Sequence, residues 1–189
     1  MERTAIDQAF DIVADAQCRL LVLGSLPGVR SLREQRYYAH PRNQFWQLMT
    51  PVAGCDLVAL GYDDRLAALR ARGIGLWDVV ASARRVGSLD AALRDVTPRD
   101  LRAVSHRLPL LRAMAFNGAA AFRIGQRQIA AETKIALIPL PSSSPAHTLP
   151  LADKRLAWAD LSRWLGDSQS YSPAGPSAPS SSSSLRSPR

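Results

Sequence analysis

A chain of 189 residues, 47% of them hydrophobic, is long enough to enclose one core and has the apolar surface to do so. Its formal charge of +8, with a pI near 10.5, makes nucleic acid the simplest partner, because Arg and Lys displace the counterions condensed on phosphates; a basic protein with no such partner is the plainer alternative. Two cysteines exclude a disulfide framework or an iron–sulfur cluster, no Cys, His or carboxylate cluster has metal-ligand spacing, and no apolar run approaches the roughly 20 residues that span a bilayer.

These features predict a monomeric protein of the cytoplasm, or of a nucleus, with no signal peptide, membrane partner, metal or cofactor. The chain divides into a body, 1–166, and a tail, 167–189. From Ser168 the tail reads SQSYSPAGPSAPSSSSSLRSPR, too poor in apolar surface to offset ordering entropy, so disorder is expected there. Arg186 and Arg189 are its only charges from Ser168 onward, and the rest of the chain keeps +6 of the +8.

Four short apolar runs read as buried parallel strands: residues 19–24 (RLLVLG), 75–80 (GLWDVV), 111–116 (LRAMAF) and 135–140 (IALIPL). Between them, a helix begins near Asn43 as NQFWQLMTPV and a second spans 64–72. Thr97-Pro98-Arg99-Asp100 has the form of a helix start, with a Thr cap and Pro in the first turn. Residues 118–131 and 151–165 complete the helical set. This alternation predicts an α/β fold, a three-layer αβα sandwich around a central, mostly parallel four-stranded sheet. Ligands of such sheets bind beyond the carboxyl ends of the strands. The loops after the first, second and fourth strands therefore carry the chemistry, whereas Asn117, after the third, reads as a helix-start turn with Gly118.

In the first of these loops, Gly24 and Gly28 flank a tight turn that Pro27 stiffens, and its backbone N–H groups can approach a base or a phosphate. The turn alone is common in α/β proteins and is neither GxGxxG nor a P-loop. Gln35-Arg36-Tyr37-Tyr38 and His40-Pro41-Arg42-Asn43-Gln44-Phe45-Trp46 then interleave arginines with aromatics, as a site for a stacked base beside phosphates requires. Trp46 reads as core, Phe45 as core or pocket wall, and Asn43 as a helix cap, a cleft residue or both. Asp78 reads as a strand-end residue capping the following turn; if ionised and buried it needs a partner such as Arg84 or Arg85. After the fourth strand comes a stiff loop rich in small donors, Leu140-Pro141-Ser142-Ser143-Ser144-Pro145-Ala146-His147.

The segments GSLPG, HPRNQFW and LPSSSPAH stand in the order and spacing of the uracil-DNA glycosylase superfamily, and their combination is most similar to its family six, the hypoxanthine-DNA glycosylases. The mismatch-specific uracil/thymine glycosylases carry a similar HPxNRFW segment. The resemblance runs from about residue 20 to 165 and implies an enzyme that extrudes a damaged nucleotide from DNA and hydrolyses its N-glycosidic bond. It makes Asn43 the catalytic amide, orienting water through its carbonyl oxygen and donating through its NH₂. His147 either contacts a phosphate or protonates a purine leaving group. Ser25, Leu26, Phe45 and Asp78 meet the base, Phe45 by stacking on it. Gly24, Pro27, Gly28, Arg42, Ser142, Ser143 and Ser144 meet the DNA.

The chain departs from the wider superfamily where relatives carry Asp or Asn in the segment held here by Ser25-Leu26, and His or Asn at the place of Leu140. Both departures throw weight onto Asn43 and away from uracil excision of the usual strength. The expected function is a monofunctional glycosylase for deaminated bases, hypoxanthine first, with uracil and xanthine behind it. The competing readings are a uracil-DNA glycosylase proper, a lesion- or abasic-site-binding protein without catalysis, and a small-molecule α/β hydrolase.

Overall fold

The computed structural model describes residues 6–85, 89–129 and 134–166. In chain order its elements are β1 (Ile6–Gln8), β2 (Leu20–Gly24), α1 (Val29–Glu34), α2 (Phe45–Ala53), α3 (Tyr62–Ala71), β3 (Ile74–Asp78), β4 (Val80–Arg84), β5 (Arg94–Pro98), α4 (Leu101–Arg107), β6 (Ala113–Asn117), α5 (Ala119–Gly125), β7 (Ala136–Leu140) and α6 (Leu151–Ala159). Short 3₁₀ turns follow at Asp90–Ala92 and Asp160–Trp164. The Ser/Pro-rich tail and residues 130–131 lie outside the described residues; the helix expected over 118–131 ends at Gly125, and 126–129 form a turn.

The expected α/β sandwich is the fold found. Four strands pair in the order β3-β2-β6-β7, all parallel. β2, β3 and β6 are buried along their whole length, which is why they read as unbroken apolar runs rather than as alternating ones. Alternation appears instead in which layer each side chain enters. Leu20, Val22, Ile74, Leu76, Ala113 and Ala115 pack with Phe45, Leu48 and Met49 of α2, Leu69 of α3 and Trp158 of α6. Leu21, Leu23, Met114 and Phe116 point the other way, onto Leu101 and Val104 of α4 and Ala121 of α5.

Two further features depart from the sequence reading. The run expected over 75–80 breaks at Val79, whose N–H donates to the Gly24 carbonyl at 2.8 Å, and the chain leaves the parallel sheet. β4 then joins β1 and β5 in a separate antiparallel sheet of order β1-β4-β5. The helix expected from Thr97 begins later, because Thr97 and Pro98 are taken into β5 opposite Ser82 and Val80. Asp100 is the actual cap, its carboxylate accepting the Ala103 N–H at 2.9 Å.

Candidate active site

β2 is the topological hinge of the parallel sheet: β3 pairs on one side and β6 on the other, so a crevice opens where their carboxyl ends diverge. A cleft of about 440 Å³ occupies that crevice, a size suited to a small ligand. Residues 24–28, Asn43, Asp78 and the triple serine all line it. Three loops far apart in sequence thus converge on one hollow.

The turn after β2 is tied to its neighbours on both sides. The Val80 N–H donates to the Ser25 carbonyl at 3.1 Å, and Arg85 donates to the carbonyl of Pro27. The Ser25 hydroxyl donates to Asp90 Oδ1 at 2.5 Å, which brings a carboxylate from a distant loop to the wall of the cleft. Leu26 is buried. Gly24 lies opposite Asp78 in register, and a Cβ at this position would stand 2.7 Å from Asp78 Oδ1. Glycine is therefore required here for the Asp78 side chain to stand at the strand end.

Asn43 is half-buried on the cleft wall. Its Oδ1 accepts the Phe45 N–H at 3.0 Å, covering one of the open donors in the first turn of α2. The remaining lone pair and the NH₂ group are the amide's means of addressing water or a sugar in the cleft. Capping and facing the cleft are thus compatible in one side chain. Arg42 is exposed beside Asn43 and is not among the residues lining the cleft, and His40 shapes the loop by accepting the Arg42 N–H on Nδ1 at 3.2 Å.

Phe45 is not at the cleft surface. It is fully buried, with the Tyr38 ring stacked over it at 3.7 Å between centroids and 9° between planes. Tyr37 and Tyr38 both line the cleft, and Tyr38, stacked over Phe45, stands between that ring and the hollow. Tyr38 holds φ at +54°, a conformation that costs a non-glycine residue of order 1–3 kcal/mol. Phe45 beneath it and Trp46 edge-on at 6.3 Å hold it there. The cue in the sequence was the paired Tyr37-Tyr38; Tyr37 is the more deeply buried, and both reach the cleft.

The serine loop divides likewise. Ser142, Ser144 and His147 reach solvent, and all three line the cleft. Ser143 is fully buried and is a fastening rather than a phosphate contact. Its N–H donates to Asn117 Oδ1 at 2.8 Å, its hydroxyl accepts from Asn117 Nδ2 at 2.8 Å, and its carbonyl accepts the Gln44 N–H at 3.0 Å. Asn117 Nδ2 also lies 3.3 Å from the Tyr38 hydroxyl. The residue read as a turn-former is therefore the knot joining three loops, and the third strand's carboxyl end was the positional cue that it shares with the other strands. Lys154 adds a second fastening, its buried ammonium donating to Gln44 Oε1 at 2.8 Å and to the His147 carbonyl at 2.9 Å.

Removing the Asn117 amide strands a buried N–H, which typically costs about 1–3 kcal/mol. We expect Asn117→Ala to raise hydrogen exchange at the Ser143 amide tenfold or more while β2 amides hold their protection, since each 1.4 kcal/mol corresponds to about tenfold. Equal loss of protection across the sheet would show that Asn117 supports the whole fold and not this loop.

Asp78 is 3% exposed, and of the two cations expected beside it Arg85 lies near enough to act on its charge but forms its ion pair elsewhere, as Arg84 does. Arg84 pairs with Asp95 at 3.2 Å, and Arg85 with Asp7 at 3.4 Å. Burial pushes the Asp78 carboxyl up from 3.8 to about 7, against partial relief from Tyr37, Arg99 and Arg85. Among the described residues, no group of three or more His, Cys, Asp or Glu side chains is placed to hold a metal ion, and no helix is long and apolar enough to cross a membrane.

The family model for the uracil DNA glycosylase superfamily matches residues 10–162. The chain is 37% identical over 155 residues to a hypoxanthine DNA glycosylase of Methanosarcina barkeri, covering 81% of this chain and 96% of that protein. It is 35% identical over 160 residues to a hypoxanthine DNA glycosylase of Methanosarcina acetivorans, covering 84% and 99%. A solution NMR structure of a candidate uracil DNA glycosylase from Methanosarcina acetivorans superposes with a TM-score of 0.74 at 33% identity, covering 85% of this chain and 99% of the other. With the motif loops gathered at one cleft and the match extending over most of the body, the chain belongs to the uracil DNA glycosylase superfamily.

Proposed function

We propose that this protein is a monofunctional DNA glycosylase that removes deaminated bases, hypoxanthine foremost, by hydrolysing the N-glycosidic bond of an everted nucleotide. The observation that carries this reading is the convergence of Asn43, the 24–28 turn, Tyr38 and the serine loop on one cleft sized for a nucleobase. Both similar curated proteins are named for hypoxanthine. The positive charge of the body suits a phosphate backbone.

The chemistry follows from what the cleft offers. The base lies on the outer face of Tyr38, with Phe45 behind that ring. Ser142, Ser144, Arg42 and the backbone at Gly24, Pro27 and Gly28 hold the flanking phosphates and sugar. The Ser25-Leu26 segment carries no carboxylate base, so the glycosidic bond breaks largely ahead of water attack. The resulting oxocarbenium-like transition state needs positioning and charge complementarity more than a strong base. Asn43 orients the water through its second lone pair and donates from its NH₂ to the reacting nucleotide. His147, exposed at the rim, is placed to contact a phosphate or to deliver a proton to the departing purine.

The test is an excision panel under single-turnover conditions, with oligonucleotides carrying one deoxyinosine, deoxyuridine, deoxyxanthosine or mismatched thymidine and alkaline scission of the abasic product. Inosine is expected to be cut fastest. No scission at inosine, uracil or xanthine in any pairing would overturn the reading. Tight abasic-site binding with zero turnover would instead identify a lesion-binding protein.

A further inference from the structure

A buried carboxyl group at the floor of a base-binding cleft poses a problem of recognition. Hypoxanthine, uracil and xanthine each present a contiguous ring N–H and C=O. An ionised carboxylate accepts from the N–H but repels the adjacent carbonyl oxygen. A neutral carboxylic acid matches both atoms, accepting through its C=O and donating through its O–H. We propose that Asp78 engages the damaged base as the neutral acid, closing a cyclic pair of hydrogen bonds with that N–H and C=O edge. This rests on the glycosylase reading above and names the chemical class of lesion that the cleft takes.

Three observations support it. Asp78 Oδ2 is buried without a hydrogen-bond partner, although the side chain lines the cleft. The groups facing it make their hydrogen bonds elsewhere, although Nε of both Arg85 and Arg99 is buried without one. Arg85 is held by Asp7 and the Pro27 carbonyl. Arg99 donates to the carbonyls of Ala9 and Phe10, at 3.3 and 2.9 Å, and lies over the Trp77 ring. Asp90, which disfavours a second negative charge nearby, accepts from Ser25. The Tyr38 hydroxyl lies beside Asn117. The Tyr37 hydroxyl favours ionisation of Asp78 to a degree, yet it too is buried without a hydrogen bond of sound geometry. Finally, Gly24 gives the carboxyl its room, so the position is shaped for this side chain. The pKa near 7 agrees with the geometry.

Asparagine offers the same donor and acceptor pair without a titration, which makes Asp78→Asn the decisive variant. Excision of deoxyinosine is measured by single turnover at sub-saturating enzyme, where the rate reports the free protein, from pH 5.5 to 8.5, below the range in which the base N–H itself ionises. The wild type should lose about tenfold per pH unit above about 7. Asp78→Asn should lack that alkaline fall and cut about tenfold faster than wild type at pH 8, whereas Asp78→Ala should be slow throughout. Folding stability supplies an independent readout. The native state holds the Asp78 proton more tightly than the unfolded chain does, so between pH 4 and 7 the wild type should lose stability relative to Asp78→Asn as pH rises. A wild type whose rate is level or rising through pH 8, with Asp78→Asn inactive but folded, overturns the inference and identifies a working carboxylate. If neither protein cuts any lesion at any pH, the glycosylase reading itself has failed, and this inference with it.

Discussion

Asn43→Ala is expected to slow excision by about 10²–10³-fold, the usual cost of losing one group aimed at the charge that develops in a transition state. The same substitution should lower stability by about 1 kcal/mol, because Asn43 Oδ1 also accepts the Phe45 N–H at the start of α2. The two effects are separable. Asn43→Asp keeps a side-chain oxygen for that N–H and places a carboxylate in the cleft. It should recover the melting temperature without recovering the NH₂ donor, and excision should remain well below wild type. Single-turnover rates alongside thermal unfolding of the three proteins check this. A full-rate Asn43→Asp would mean that the NH₂ donor is dispensable once a carboxylate can serve as base for the water. An Asn43→Ala that melts early but cuts at the wild-type rate would reduce Asn43 to a helix cap.

What the sequence disclosed follows from which side chains had only one physical use. The apolar runs of β2, β3 and β6 are buried on both faces, and no other placement suits them. The small antiparallel sheet escaped notice because β5, RDVTP, is exposed along its length and shows no hydrophobic pattern. The six-residue helix α1 is too short to leave a helical period that can be read. At the site, the loops were legible but the division of labour within them was not. Tyr37 and Tyr38, or Ser142 and Ser143, differ only in which way the backbone turns them. Asn117 was hidden by its neighbour Gly118, which makes a turn a sufficient explanation until Ser143 is seen to fill both ends of the amide. The cations expected at Asp78 lie close in sequence, but Asp7, Asp95 and the Pro27 carbonyl claim them first.

The second large effect is expected at Trp158, which no motif marks. It is fully buried on α6, edge-on to Phe45 at 5.7 Å between centroids, and its indole N–H donates to the Pro141 carbonyl at 3.0 Å. It therefore supports both the floor under Tyr38 and the first residue of the serine loop. Truncating a buried Trp to Ala costs about 3–5 kcal/mol, which for a domain of this size lowers the melting temperature by roughly 6–20 °C. An unchanged melting temperature would mean that α6 does not carry the packing described. Trp158→Phe distinguishes packing from tethering, because it retains most of the apolar volume but leaves the Pro141 carbonyl without its donor. A modest loss of stability with a several-fold loss of excision at a temperature where the protein is folded would show that the tether positions Ser142 and Ser144 against DNA. Wild-type excision in Trp158→Phe would assign that positioning to Asn117 and Lys154, whose contacts with the loop at Ser143 and the His147 carbonyl are untouched by the substitution.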